Sequence, residues 1–487
     1  MKGGLALILK GYVFGVGYAA LCLILSFILY KLGLPKKYTR KVVHILVGFE
    51  WVILYHYIGA GIHFLAVCLL FLLLLLVAYF RKLMPMISSD ADNAPGTVYY
   101  ALAMTAVAAI GCFLPDIMLP FGIGVMCTSI GDGLAGVVGQ SIKKGNPRIY
   151  ADKTLLGSLT NFITSSLAAF AISTLYSIEL SVWICLAIGM LSVGLELITP
   201  YGLDNISITW AVTALAYSYM YFTCVNEYIL PIIFTPFIIA FSLSKKALTR
   251  GGVVSAIVLD LAVSIAFGNA GFIVLCTFFV GAVVVDKIKK RIKKQSRTDG
   301  KKDDDCRNYM QVFANGLIAF VSAVAFLITK NIIFAVPFVA SLAEAFSDTV
   351  ASGIGAFSSS AYDPFRRCKC ENGLSGGMSL EGTLASIVGA CLISYIAYAI
   401  GFVGYGIREF FIVAISAILG SLLDSFLGSV FQVKYKCRVC GKITEREVHC
   451  VVPADIHSGY PMIDNDVVNM ISCAAAAILA TALTLLV

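Results

Sequence analysis

"FLAVCLLFLLLLLVAYF", residues 64–80, contains no charge and no turn former. A run of that length and apolarity is what a helix crossing a bilayer requires. Shorter relatives of it, such as "LCLILSFILY" at 21–30, recur with only brief polar breaks. Over the whole chain of 487 residues, 59% are hydrophobic and 13% charged, with a mean hydropathy of +0.90. That balance excludes the soluble classes. The expectation is an all-α polytopic integral membrane protein with about sixteen transmembrane helices in two related halves, 1–227 and 228–487. The opening stretch resembles the later spans and lacks a small-residue cleavage site, so it reads as a span rather than a signal peptide.

The net charge of +8 does not point to nucleic acid, because Lys and Arg cluster in loops between spans. With the N-terminus outside, the basic loops 31–41, 81–93, 140–156, 244–250, 287–308, 358–378 and 431–462 fall on one side. The positive-inside rule makes that side cytoplasmic. The chain therefore reads as integral to the cytoplasmic membrane, with its polar chemistry facing the cytoplasm and a soluble co-substrate. Fifteen cysteines do not indicate a disulfide framework, since many, such as Cys22 and Cys68, lie within apolar runs.

Within those runs one grammar is written twice. "SIGDGLAGVVGQ" (129–140) and "AFSDTVASGIGA" (345–356) each place an Asp, an Ala three positions on and a Gly seven positions on, at Asp132, Ala135, Gly139 and at Asp348, Ala351, Gly355. An acid at bilayer depth costs about 2.5–3.5 kcal/mol on insertion scales, so it is retained where it is paired, coordinates an ion or faces a polar cavity. Small neighbours let other backbones or phosphates come close. Each acid is followed by a loop and a small-residue helix start: "IYADKTLLGSLTNF" supplies Lys153, Thr154, Gly157 and Ser158, and "ENGLSGGMSLEGTLAS" supplies Gly376, Gly377, Ser379, Glu381, Gly382 and Thr383. Free N–H groups, the helix dipole and a nearby cation suit phosphate. The second copy has no Lys at the matching place, leaving Arg366, Arg367 or Lys369 to provide charge.

Each half also opens on bases leading into a span, "TRKVVHILVG" with Arg40, Lys41 and His44, and "KKALTRGGVVSAIVLD" with Arg250. Each closes on an acid followed by Asp-Asn: Glu196 then Asp204 and Asn205, Asp424 then Asp464 and Asn465. Glu344 lies one turn before Asp348. In "KYKCRVCGKITEREVHC" (434–450), Cys437 and Cys440 have the spacing of a zinc knuckle, with His449 and Cys450 as further ligands of a structural Zn²⁺.

These pieces carry a resemblance. "RKVVHILVG", "SIGDGLAGVVGQ", "DKTLLGSLTNF" and "GLDN" resemble the membrane lipid-alcohol kinases of the phytol kinase and dolichol kinase family, which are related to phosphatidate cytidylyltransferases. "RGGVVSAIVLD", "SDTVASGIG", "GGMSLEGTLAS", "GSLLDSFLGSVFQ" and "DNDVVN" resemble the membrane family that contains phytyl-phosphate kinase. The resemblance implies two phosphorylations, of an isoprenoid alcohol and then of its monophosphate, with CTP as donor and Mg²⁺ as cofactor.

The soluble phosphate loop G-x-x-x-x-G-K-[ST] does not occur, so membrane acids must serve in its place. In that reading Asp132, Lys153 and Asp348 are catalytic. Mg²⁺ falls to Asp132, Glu196 and Asp204 in the first half and to Glu344, Asp348, Glu381, Asp424 and Asp464 in the second. Arg40, Lys41, His44, Gly157, Ser158, Asn205, Gly376, Gly377, Ser379, Thr383 and Asn465 bind nucleotide or lipid phosphate. Two other readings remain: a cytidylyltransferase making a CDP-lipid, and a transporter of an isoprenoid phosphate.

Overall fold

The computed structural model describes residues 2–81, 96–142, 144–200, 202–296, 306–358, 360–370, 374–450 and 452–486. The chain divides into two compact units, Met1–Ser244 and Lys245–Val487. The division falls after 244 rather than after 227, because the helix Ile229–Ser244 packs on Val182–Ile198 of the first unit.

Both units are helical bundles. Among the described residues ten helices are long and apolar enough to cross a membrane, and three shorter apolar helices, Gly96–Gly111, Val182–Ile198 and Ile229–Ser244, accompany them. This falls short of sixteen spans for local reasons. The stretch 42–58 is two short helices, Lys36–Gly48 and Glu50–Tyr57, parted at Phe49. The two spans expected between 251 and 286 are present as two helices within Arg250–Ser296, parted where Gly268 adopts φ 59°, a conformation glycine enters without steric cost, and the stretch stands as one in the count of ten.

The two helices that carry the doubled motif are the central ones. In Pro115–Ser141 and Ile332–Gly355, 72% of the most apolar stretch is buried, against 22–44% in the other long helices. Those peripheral helices turn large apolar residues outward, as Leu73, Leu74, Val77 and Phe80 do on Ile62–Phe80. That is the arrangement a lipid solvent favours. The first core is built on Trp51, Phe64 and Phe121. The second is built on Phe267, Phe338 and Phe402, whose ring centroids lie 4.8–5.5 Å apart.

From the central helix onward the two units repeat one order of elements. A short hairpin follows the acid-bearing helix (Arg148–Tyr150 with Lys153–Thr154; Ala361–Asp363 with Cys368–Cys370). A helix capped by a hydroxyl follows, Leu155–Leu175 in one unit and Leu380–Ala399 in the other. Next comes a helix bearing an acid near its end, Val182–Ile198 or Ile407–Val430, and then a helix opened by Asp-Asn, Asp204–Tyr221 or Asn465–Leu486.

Candidate functional site

The spacing of the doubled motif explains how each site is walled. Gly139 and Gly157 face one another so closely that a Cβ on Gly157 would lie 3.4 Å from the Gly139 Cα and 3.1 Å from the Ala135 carbonyl oxygen. In the second unit a Cβ on Gly382 would lie 3.2 Å from the Gly355 Cα and 3.1 Å from the Ala351 carbonyl. The Ala and Gly therefore form the seat on which the next helix rests its first turn. Its cap is equivalent in both copies: Gly157 N–H donates to Thr154 Oγ1 at 3.3 Å and Gly382 N–H donates to Ser379 Oγ at 3.1 Å.

In the first unit this crossing borders a cavity of about 620 Å³ lined by every first-half candidate: Arg40, Lys41, His44, Asp132, Lys153, Gly157, Ser158, Glu196, Asp204 and Asn205. Asp132 closes a π-helical turn, Cys127–Asp132, an irregularity frequent at functional positions. Lys41 Nζ reaches its carboxylate at 2.7 Å, and His44 Nε2 lies 3.7 Å from the same oxygen while contacting the Thr128 carbonyl oxygen at 3.0 Å. Lys153 Nζ sits between Glu196 (2.9 Å) and Asp204 (3.5 Å). Burial alone would disfavour the ammonium, but Glu196, and behind it Asp132 and Asp204, hold Lys153 well above the ordinary lysine range.

The anticipated phosphate donors are partly engaged. Gly157 N–H belongs to the Thr154 cap, and the Asn205 amide donates to the carbonyls of Gly96 (3.1 Å) and Gly202 (3.0 Å). Ser158 Oγ, by contrast, is buried without a partner. Among the described residues no acid pairs with Arg40, which lines the same cavity. Asn161 was not anticipated: its amide donates to Glu196 Oε2 at 2.6 Å, and its own oxygen accepts from Ser165 and Ser192. It stands one turn beyond Gly157 inside the quoted motif, so helical periodicity alone would have drawn attention to it.

A second feature adjoins this cavity. An apolar groove lined by Leu23, Val47, Leu54, Phe71, Ala101 and Met104 shares Arg40, His44 and Thr97 with it. Glu50 stands in that groove, buried and with Oε1 unpartnered.

The second unit places Asp348, Gly376, Gly377, Ser379, Thr383, Asp424, Asp464 and Asn465 around a cavity of about 490 Å³. Glu344 lies buried beside it, with Cys473 Sγ donating to its Oε2 at 2.8 Å and its Oε1 unpartnered. Ser472 Oγ donates to Asp424 Oδ2 at 3.2 Å, and Asp464 Oδ1 caps the last helix by accepting from Val467 N–H at 2.9 Å. Two expectations are corrected. Glu381 is exposed and does not line the cavity, because the first turn of its helix directs it outward. Arg366, Arg367 and Lys369 lie off the cavity on or beside the hairpin Ala361–Asp363/Cys368–Cys370, and the cations that line it are Lys289 and Arg446, from a preceding helix and the distant loop. Those two residues are far from the motif in sequence, so spacing gives no sign of them.

Among the described residues none of Glu344, Asp348 and Asp424 is joined to a base by an ion pair, whereas every acid named in the first cavity is. The carboxylates do not close to within 4.8 Å in threes. Among the described residues the one such set of ligand atoms is the Sγ atoms of Cys437, Cys440 and Cys450. The His449 side chain lies outside the described residues.

Fold and cavities together define a polytopic helical membrane protein with a polar, acid-lined cavity in each of two units. The chain belongs to the integral membrane protein family DUF92, whose model matches residues 233–477. It is 29% identical over 195 residues, 39% of this chain and 77% of the relative, to an uncharacterized membrane protein of Methanocaldococcus jannaschii. It is 25% identical over 252 residues, 50% of this chain and 67% of the relative, to the chloroplastic protein VTE6 of Arabidopsis thaliana. It is also 25% identical over 198 residues, 38% of this chain and 81% of the relative, to a phytol kinase of Synechocystis. No solved structure matches the chain.

Proposed function

We propose that the chain is a membrane isoprenoid kinase that phosphorylates an isoprenoid alcohol in its first unit and the resulting monophosphate in its second, with CTP as donor. The observation that carries this reading is the junction in the first unit, where a charged cavity meets an apolar groove at Arg40, His44 and Thr97. A lipid alcohol has that shape: a hydrocarbon tail and one polar end. The name of the Synechocystis relative, a phytol kinase, supports the same chemistry.

In this mechanism the tail lies in the groove and the hydroxyl stands at the junction, beside Asp132. The hydroxyl oxygen bonds to the terminal phosphorus of the nucleotide, the bridging bond to the diphosphate breaks, and the hydroxyl proton passes to the Asp132 carboxylate. Arg40, Lys41 and Lys153 neutralise the phosphate charge, which is most of what phosphoryl transfer asks of a protein. Ser158 Oγ, buried and unpartnered, gives a further hydrogen bond.

Mg²⁺ fits the two cavities differently. In the second, Asp348 and Asp424 line the cavity without a base and Glu344 lies beside it with Oε1 unpartnered; these are oxygen donors of the kind a hard cation takes, set wider apart as a trio than 4.8 Å. When bound there the ion would neutralise phosphate charge. In the first, each carboxylate is already held by a lysine, so the residues do not make a ready metal site. Joining both activities in one chain would keep the amphiphilic monophosphate near its second site. The basic loops support a cytoplasmic orientation for each cavity, the side on which a soluble nucleotide would be available.

The test uses purified full-length protein in detergent with γ-labelled CTP and geranylgeraniol or phytol. Labelled lipid monophosphate and diphosphate, with CDP as co-product, is the expected result. Release of pyrophosphate with a CDP-lipid would replace this reading by cytidylyl transfer, and no product from alcohols or monophosphates with any nucleotide would end it.

The groove gives a separate prediction. Ala101 is buried in its wall. Ala101→Phe fills tail space and is expected to lower kcat/KM for a twenty-carbon alcohol about tenfold relative to a ten-carbon one, the effect of one or two kcal/mol of lost apolar contact. An equal loss on both alcohols would show that the tail does not occupy this groove.

A further inference from the structure

We infer that Cys437, Cys440 and Cys450 hold a zinc ion that fixes the loop 431–462 as part of the wall of the second cavity. The loop is built around a three-stranded sheet in which Lys434–Lys436 lies between Ile443–Thr444 and Asp455–Ser458. At the turn between the first two strands, Cys437 N–H donates to the Lys442 carbonyl at 2.9 Å and Gly441 N–H returns to the Cys437 carbonyl at 3.0 Å. Gly441 takes φ 70°, and Val439 N–H points at Cys437 Sγ from 3.4 Å. A turn whose backbone N–H faces the sulfur supports a thiolate by hydrogen bonding, as a metal knuckle requires. Cys450 arrives from the next hairpin, itself at φ 52°, and brings its sulfur within 4.8 Å of the other two. Sulfurs around one tetrahedral Zn²⁺ are about 3.8 Å apart at a Zn–S distance of about 2.3 Å, so small side-chain rotations close this set. All three cysteines are free of disulfides. A disulfide would join two of them and leave the third without a function, whereas zinc uses all three and leaves its fourth position to another donor.

The loop matters beyond its own fold. Glu445, one residue past the Ile443–Thr444 strand, accepts from Ser375 N–H at 2.7 Å, and Lys434 Nζ donates to the Ser375 carbonyl at 2.8 Å. Ser375 lies in the stretch Leu374 through Ser379 that lines the cavity, and Arg446 contributes one of its two lining cations. The strand that carries Lys434 and the strand that leads into Glu445 and Arg446 are only three and two residues long, too short to hold position through sheet pairing alone. A metal joining the turn at 437–440 to Cys450 supplies the missing constraint.

The experiment measures metal content by mass spectrometry on tag-free protein purified without chelator, for wild type, Cys440→Ser and Cys450→Ser. These two are exposed or half-buried and disturb packing less than the buried Cys437 would. The expected result is one zinc per chain in wild type and a loss of about tenfold in each variant. Wild-type protein supplies an arm that needs no variant: Cys437, Cys440 and Cys450 resist alkylation until chelator is added. Chelation also speeds amide exchange at Ser375 by about tenfold, a readout independent of any kinase activity. A metal-free wild type, alkylation indifferent to chelator, or a disulfide in the intact mass overturns the site. Unchanged exchange at Ser375 overturns its link to the cavity.

Discussion

Asp348→Asn is expected to raise the melting temperature while stopping the second phosphorylation, so that labelled monophosphate accumulates from the alcohol. Glu344 and Asp424 are buried at 1% and 8% exposure around Asp348, and among the described residues no base is ion-paired to any of the three. Three carboxylates so placed repel one another and lose hydration, and the fold tolerates them without return in stability. Removing one charge without changing shape relieves that repulsion, by about 1 kcal/mol or about 2–4 °C for a unit of this size. The same change removes a ligand from the set proposed to hold Mg²⁺ against phosphate, with an expected fall of about 10²–10³ in the rate of diphosphate formation. Asp132→Asn is expected to show the opposite sign of stability change. Its carboxylate is the partner of Lys41 at 2.7 Å, so its loss leaves a half-buried ammonium without a counter-charge, and alcohol phosphorylation falls by a similar factor. Thermal unfolding and separation of the labelled lipids from the same preparations check both. Undiminished diphosphate from Asp348→Asn, or a drop in its melting temperature, contradicts the assignment.

What the sequence revealed and what it concealed follow from how far each relation extends along the chain. The class was legible because apolar runs such as 64–80 are local and long. The twin crossings were legible because Asp132, Ala135 and Gly139, like Asp348, Ala351 and Gly355, lie on one helix at a fixed spacing, and Gly157 and Gly382 on the next. The number of spans was less legible. Apolarity alone does not reveal that Phe49 divides one stretch into two short helices, or that helices such as Gly96–Gly111 are shorter than a bilayer crossing. Pairings between distant segments were not legible at all. Nothing in "KVVH" says that Lys41 will hold Asp132, 91 positions away, or that Arg446 will reach the second cavity from a cysteine-bearing loop. The Lys153 motif suggested a free cation for phosphate. The fold instead gives that lysine two acids, because the helix ending in Glu196 and the helix opened by Asp204 both converge on it.

That convergence makes Lys153→Met the substitution with the largest expected cost in stability. Glu196 and Asp204 are buried, with side chains 5% and 12% exposed, and Lys153 lies between them. Deleting one partner of a buried ion pair costs about 3–5 kcal/mol, because the charge left behind is neither hydrated nor matched. Lys153 is 22% exposed at its side chain, which places the loss near the lower end, about 3 kcal/mol. The pH dependence carries a sign. In the wild type the raised Lys153 contributes its full stabilisation below the ordinary lysine pKa of about 10.4, so stability through Lys153 is flat from pH 5 to 9. In the variant Asp204, which burial and the neighbouring Asp132 already push toward its protonated form, loses the lysine that favoured its charge, so it binds its proton more tightly folded than unfolded. Its contribution is intact below the ordinary value of about 4 and is lost as pH rises through the raised folded value, so the deficit against wild type grows with pH. Lys153→Met with Glu196→Gln removes one orphaned charge while leaving an oxygen to accept from Asn161, and is expected to recover part of the stability and flatten the pH dependence. It should recover none of the alcohol phosphorylation, since the cavity would still lack the Lys153 ammonium, leaving only Arg40 and Lys41 toward the phosphates. Melting temperatures of the three proteins at pH 5.5 and 8.5 decide the matter. A single variant that melts with the wild type at both values would mean that Lys153 is not the counter-ion of this cluster in the membrane protein.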